Sequence, residues 1–204
     1  MAIHAVVFDL GGVLENEVET GKNEKWEVRL NLKPGEYRER LFSSGLLIDA
    51  TYGKFTEEEM WQKYQGIYGL NQAQMDEFRQ DLWDEYRGEL NIELTTYFKS
   101  LRPQYQTAIL SNAIPGARRE ECARFHFDEM ADPIIYSYEE KTAKPEHRIY
   151  EILCERLAML PQEIVFLDNH QRIVEAAREF GIHAILFENT AQAIAAVKEV
   201  LLTY

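Results

Sequence analysis

The sequence predicts a doubly wound α/β protein, a parallel sheet flanked by helices, with an all-helical segment inserted after the first strand. Three observations carry this expectation. Five short apolar runs are continuous rather than alternating in polarity, as in strands buried on both faces of a parallel sheet. Amphipathic helical patterns separate the later runs. Between residues 15 and 87 strand signals vanish and only helical patterns remain.

The first run, "AVVFDL" (5–10), ends at Asp9 and is followed by Gly11 and Gly12. Helical patterns then fill "KPGEYRERLF", "TEEEMWQKYQGIYG" and "NQAQMDEFRQDLWDEYRGEL". In the last of these Met75, Phe78, Leu82, Trp83 and Tyr86 recur at helical spacing, a stripe that reads as packed core rather than a cofactor site. Thr56 with Glu59 has the capping-box spacing, so a helix is expected to start there. Strand-like runs resume at "TAILSN" (107–112) and "DPIIYS" (132–137). "HRIYEILCERLAML" sets Ile149, Ile152, Leu153 and Leu157 on one helical face and leads to "EIVFLDN" (163–169). "VEAAREFG" ends at Gly181, a helix C-cap residue; "HAILF" (183–187) is the fifth strand and "AQAIAAVKEVLL" a closing helix. The expected organisation is a core of residues 1–14 and 88–204 with a helical cap at 15–87. An insert at that point sits over the carboxyl ends of the strands, where open α/β sheets bind ligands, and is a candidate lid.

Composition narrows the function classes. With 46% hydrophobic and 12% aromatic residues the 204-residue chain can bury a proper core. Its net charge is −13, and both the 15–87 segment and the remainder are acidic, so nucleic acid and membrane surfaces are disfavoured partners. Cys122 and Cys154 match no metal or redox spacing and read as ordinary thiols of a reducing compartment. The first residues lack a signal-peptide pattern, and a soluble, cytoplasmic protein is expected.

Four features close candidate strands with chemistry. Asp9 precedes two glycines whose backbone N–H groups can approach an anion without a Cβ in the way. Ser111 and Asn112 end the second main strand with a hydroxyl and amides suited to phosphoryl oxygens. Lys144 stands before a proline at a helix entrance, where it can neutralise charge developing on a phosphoryl group. Asp168 ends a strongly apolar strand; converging on Asp9 it would offer hard oxygen ligands to Mg²⁺. Asn169 either tunes that site or caps the next helix, and His170 is expected to be exposed.

Taken in order, "FDLGGVL", "LSN", "KP" before "IY", and "VFLDN…AAREFGIHAILF" resemble the haloacid dehalogenase-like superfamily, within it a small-phosphatase branch with a helical cap after the first motif. The resemblance implies that Asp9 is a nucleophile forming an aspartyl-phosphate. It implies Mg²⁺ held by Asp9, the Gly11 carbonyl and Asp168. Ser111, Asn112, Gly12 and Lys144 would hold the phosphoryl group, with Lys144 also paired to Asp9 and Asn169 near the metal. The implied substrate is a small phosphorylated metabolite. Two departures stand out: Gly11 replaces the usual second aspartate, the general acid, and the fourth motif reads Asp168-Asn169 rather than Asp-Asp. The alternatives are a weak or silent binding protein and a 2-haloacid dehalogenase; retention of Asp168 argues against the latter. Glu15 and Glu17 are candidate proton donors, though solvated charge is the simpler expectation. Trp26, Tyr37 and Arg40 are candidate contacts in the cap, with Arg118 and Arg119 candidates at the site entrance.

Overall fold

The computed structural model describes residues 2–204. In chain order the first half contains β1 (Ala5–Phe8), β2 (Glu15–Asn16), α1 (Lys22–Arg29), α2 (Glu36–Ser43), α3 (Leu46–Thr51), α4 (Glu57–Tyr68), α5 (Gln72–Arg87) and β3 (Glu89–Leu90). The second half contains α6 (Ile92–Leu101), β4 (Gln106–Ser111), α7 (Ala117–Phe125), β5 (Ile134–Tyr136), α8 (Ser137–Glu140), α9 (His147–Leu157), β6 (Ile164–Asp168), α10 (Gln171–Phe180), β7 (His183–Leu186) and α11 (Thr190–Thr203).

Five strands form one parallel sheet in the order β5-β4-β1-β6-β7, so the expected doubly wound α/β class is the observed one. Every residue of β1 is buried, which explains its unbroken apolar sequence. Its side chains alternate between two layers. Val6 and Phe8 pack with Leu94 and Phe98 of α6 and Val197 of α11. Ala5 and Val7 face Ile149 and Leu153 of α9 and Val174 and Ala177 of α10. The strand order places β1 at the centre, with β4 and β5 on one side of it and β6 and β7 on the other. Its carboxyl end therefore opens onto the switch-point crevice.

Helices α1–α5 enclose a separate aromatic core containing Trp26, Tyr37, Tyr64, Phe78 and Trp83. Tyr37 and Tyr68 stack at 4.5 Å, and Trp61 meets Trp83 edge-on at 5.7 Å. The Met75–Trp83 stripe of α5 is buried here, as its spacing requires. Thr56 and Glu59 make the expected capping box on α4, and Asn71 with Gln74 makes another on α5. One feature of this stretch departs from the sequence reading: β2 and β3 pair antiparallel where no strand was expected. Two-residue strands are too short to carry a periodicity. No helix among the described residues is long and apolar enough to cross a membrane.

Candidate active site

The chain folds Asp9, Lys144 and Asp168 into one buried cluster. Asp9 follows β1, Asp168 closes β6, and these strands are neighbours in register. Lys144 arrives from the turn before α9. Its ammonium lies 2.8 Å from Asp9 Oδ1 and 2.7 Å from Asp168 Oδ2, with the side chains almost wholly buried. Asp9 Oδ1 also accepts from the Leu10 N–H at 2.8 Å, and Asp168 Oδ1 from the His170 N–H at 2.8 Å. Asn112, just past the end of β4, fastens Lys144: its Nδ2 donates to the Lys144 carbonyl at 2.8 Å, and the Lys144 N–H donates back to Oδ1 at 2.9 Å. This two-way bond joins two motifs that the sequence shows only separately.

Two carboxylates share one ammonium, and the electrostatics register the imbalance. Burial pushes the Asp9 carboxyl up to about 7; Lys144 pulls it back and Asp168 adds repulsion. For Lys144 burial works against the charge, yet the two carboxylates outweigh it and hold its pKa above the ordinary lysine value. The cluster thus has room for further positive charge. Its donors also suit a hard divalent cation, which takes carboxylate, carbonyl and water oxygens. Among the described residues no hydrogen bond reaches the Gly11 carbonyl, and Asn169 Oδ1 is buried without a partner. No group of three or more His, Cys, Asp or Glu side chains forms a denser metal site among the described residues.

The loop after β1 turns back on itself through Val13 N–H to Leu10 O and Gly12 N–H to Glu15 O, at 3.0 and 2.7 Å. Gly12 adopts φ +72°, and a Cβ there would stand 2.1 Å from Asn169 Nδ2. Only glycine meets both demands. Asn169 therefore packs over Gly12 and does not cap α10; the N-cap is His170, which is exposed and makes no side-chain cap bond.

A cavity of about 990 Å³ lies between the α1–α5 layer and the strand ends. Gly11, Ser111 and Asn112 line it from the sheet side, while Lys22, Tyr64 and Tyr86 line it from the helices. Asp9, Lys144 and Asp168 are buried behind that lining, with Asp9 retaining 6% exposure.

The structure moves several candidates elsewhere. Trp26 and Tyr37 belong to the aromatic core, and Arg40 pairs with Glu36 at 2.6 Å on its own helix. Arg118 binds Glu139 and Arg119 binds Glu57, so neither lines the cavity. Glu15 is the opposite case. Expected in solvent, it is 3% exposed, lines the cavity, and leaves Oε1 without a partner. Glu121 of α7, which the sequence reading missed, lines the same cavity at 1% exposure and accepts from Tyr136 Oη at 2.5 Å. Burial, with repulsion from Glu121 and Asp9, pushes Glu15 up to about 10. Burial is also the main cause that pushes Glu121 up to about 8.

Comparison with known proteins adds the following. Residues 3–181 match the profile of the haloacid dehalogenase-like hydrolases. The chain is 27% identical over 218 aligned positions to bifunctional epoxide hydrolase 2 of Mus musculus; the match covers 98% of the chain but 39% of that protein. A HAD family enzyme from Bacteroides thetaiotaomicron, solved with magnesium and inorganic phosphate, superposes with a TM-score of 0.80 at 22% identity, covering 91% of this chain and 94% of that one. A predicted HAD-like family hydrolase from Porphyromonas gingivalis superposes with a TM-score of 0.78 at 25% identity, covering 98% of both chains.

Proposed function

Because the chain belongs to the haloacid dehalogenase-like hydrolase family, we propose that it hydrolyses small phosphomonoesters through a phosphorylated Asp9. The observation that carries this reading is the convergence of Asp9 and Asp168 on the Lys144 ammonium, beside the Gly11 loop and the Ser111–Asn112 strand end. The magnesium and phosphate held by the Bacteroides enzyme of the same fold lend it support.

On this reading a carboxylate oxygen of Asp9 attacks phosphorus. The Asp9–phosphorus bond forms as the ester phosphorus–oxygen bond breaks, and the departing oxygen takes a proton from water. A second water then attacks phosphorus, giving its proton to the hydroxide left by the first; the bond between the Asp9 oxygen and phosphorus breaks, releasing inorganic phosphate and regenerating the carboxylate. Lys144 holds Asp9 and Asp168 in one orientation throughout and, with the Ser111 hydroxyl and the Asn112 backbone N–H, meets the phosphoryl oxygens; the Gly12 N–H, expected among these donors, is instead taken by the Glu15 carbonyl, and Gly12 serves the turn. Asp9, the Gly11 carbonyl and Asp168 would hold Mg²⁺, with Asn169 bonding one of its waters. The ion supplies charge neutralisation between carboxylate and phosphate. Helices α1–α5 act as a lid that limits which esters reach Asp9, in keeping with a cap over residues 15–87 and a core of 1–14 and 88–204.

The decisive measurement is phosphate release from 4-nitrophenyl phosphate. Hydrolysis should stop with EDTA, return with Mg²⁺, and fall at least ~10³-fold in Asp9→Asn. Full activity of that variant, or halide release from 2-chloropropionate in place of phosphate release, overturns the reading.

A further inference from the structure

The cavity above the strand ends is more acidic than a phosphate ester alone would call for. Its lining includes six glutamates against one lysine and one arginine. The lysine, Lys22, is already held by Glu85 at 3.0 Å, and Arg38 is exposed. Surface glutamates need no partner, but Glu15 and Glu121 are 3% and 1% exposed, and neither forms a salt bridge among the described residues. Tyr136 meets one oxygen of Glu121, whereas Glu15 Oε1 meets nothing. Lys144 is held between Asp9 and Asp168. Two buried carboxyl groups therefore face a ligand-sized space, and among the described residues no cation of the protein is paired with either.

We infer that the Glu15–Glu121 wall receives a primary ammonium group on the organic part of the substrate, so that the preferred substrates are amino-alcohol phosphates. The inference rests on the phosphatase reading above and names the substrate class for the same site. Burying an unpaired carboxylate is costly, so without a ligand these acids are held protonated; an ammonium at this point supplies the counter-charge that lets them ionise and the missing hydrogen bond. An ammonium has donors enough to serve Glu15 Oε1 and a second oxygen at once. A lone metal ion would leave most of a 990 Å³ space unfilled. The cavity wall is also partly apolar, with Ile114, Leu82 and Tyr64 in its lining, which suits a short carbon chain between phosphate and ammonium.

The same preference answers the deficiency at Gly11. Without an acid at that position, the leaving oxygen must depart with more negative charge than usual. A cationic centre held near that oxygen by the Glu15–Glu121 wall stabilises the developing alkoxide electrostatically.

The test compares 2-aminoethyl phosphate with 2-hydroxyethyl phosphate, nearly equal in size and differing in charge. Wild-type kcat/KM should favour the ammonium ester by at least ~10-fold. Glu15→Gln and Glu121→Gln should each shrink that ratio several-fold; a purely structural role would lower both rates together and leave the ratio in place. A wild-type ratio near one, or a ratio unchanged in both variants, overturns the inference while leaving the phosphatase reading intact. Failure of that reading shows separately, as absent hydrolysis of 4-nitrophenyl phosphate in Mg²⁺. The preference is then read by calorimetry as the Kd values of the two esters, and equal values overturn it.

Discussion

A methyl group built on Gly11 meets nothing within 4 Å, whereas one on Gly12 collides with Asn169. Adjacent glycines thus serve different ends. Gly12 is required by its backbone and its neighbour; Gly11 is open and has no left-handed backbone to defend. Restoring the acid should therefore cost little structure. Gly11→Asp is expected to fold normally and to raise kcat on alkyl phosphates at least ~10-fold, with a smaller change on 4-nitrophenyl phosphate, whose leaving group needs no proton. Equal effects on both esters would show that protonation does not limit the alkyl reaction. At this scale Asp9, Lys144 and Asp168 were legible because each closes an apolar run or stands before a helix. Glu15 was not. Its burial depends on pairing with Leu90 and on Glu121 and Tyr86 lining the same cavity, partners more than 70 positions away in the chain.

Between elements, a few polar links join the helical layer to the sheet domain. Arg119 of α7 holds Glu57 of α4 through both terminal nitrogens, at 2.7 and 2.9 Å. Arg87 of α5 holds Glu120 of α7 at 2.9 Å, and Tyr52 donates to Glu146 at 2.8 Å. Hydrogen bonds from Arg119 hold the Glu57 carboxyl below the ordinary glutamate range. A depressed carboxylate contributes its stabilisation above pH 4.5 and loses it as pH falls through the lowered value. Exposed pairs of this kind contribute only ~0.2–1 kcal/mol. Arg119→Ala should therefore move Tm by no more than a few degrees while hydrogen exchange in α4 accelerates relative to β1. Unchanged exchange in α4 would remove any role of this pair in holding the layers together. Strands and long helices were readable from their periods, and the capping boxes from three-residue spacings. The cross-layer pairs were not, since no local pattern announces a partner 62 residues away.

Over the whole molecule the buried acids set the response to pH. Glu121 carries an ordinary value of 4.5 when unfolded and is pushed up to about 8 when folded. Its folded form holds a proton that the unfolded chain releases, so this contribution is full below 4.5 and is lost as pH rises through 8. Glu15, pushed up to about 10, acts in the same direction. Thermal melts should show Tm falling from pH 5 to pH 8. Glu121→Gln should flatten that slope, by an amount on the order of 1 kcal/mol or more in stability at the upper end. A wild-type Tm constant across the range would mean that the two acids gain a counter-charge in the free protein.

The antiparallel pairing of Glu15–Asn16 with Glu89–Leu90 has a consequence for how such a chain can diversify. It brings the points where the polypeptide leaves and rejoins the sheet domain side by side. Whatever lies between them can lengthen, shorten or be exchanged for another module without displacing β1 or the groups around Asp9. Glu15, however, sits in the anchor itself. A lineage that swapped its helices would alter the shape of what it admits and still inherit the same buried carboxyl.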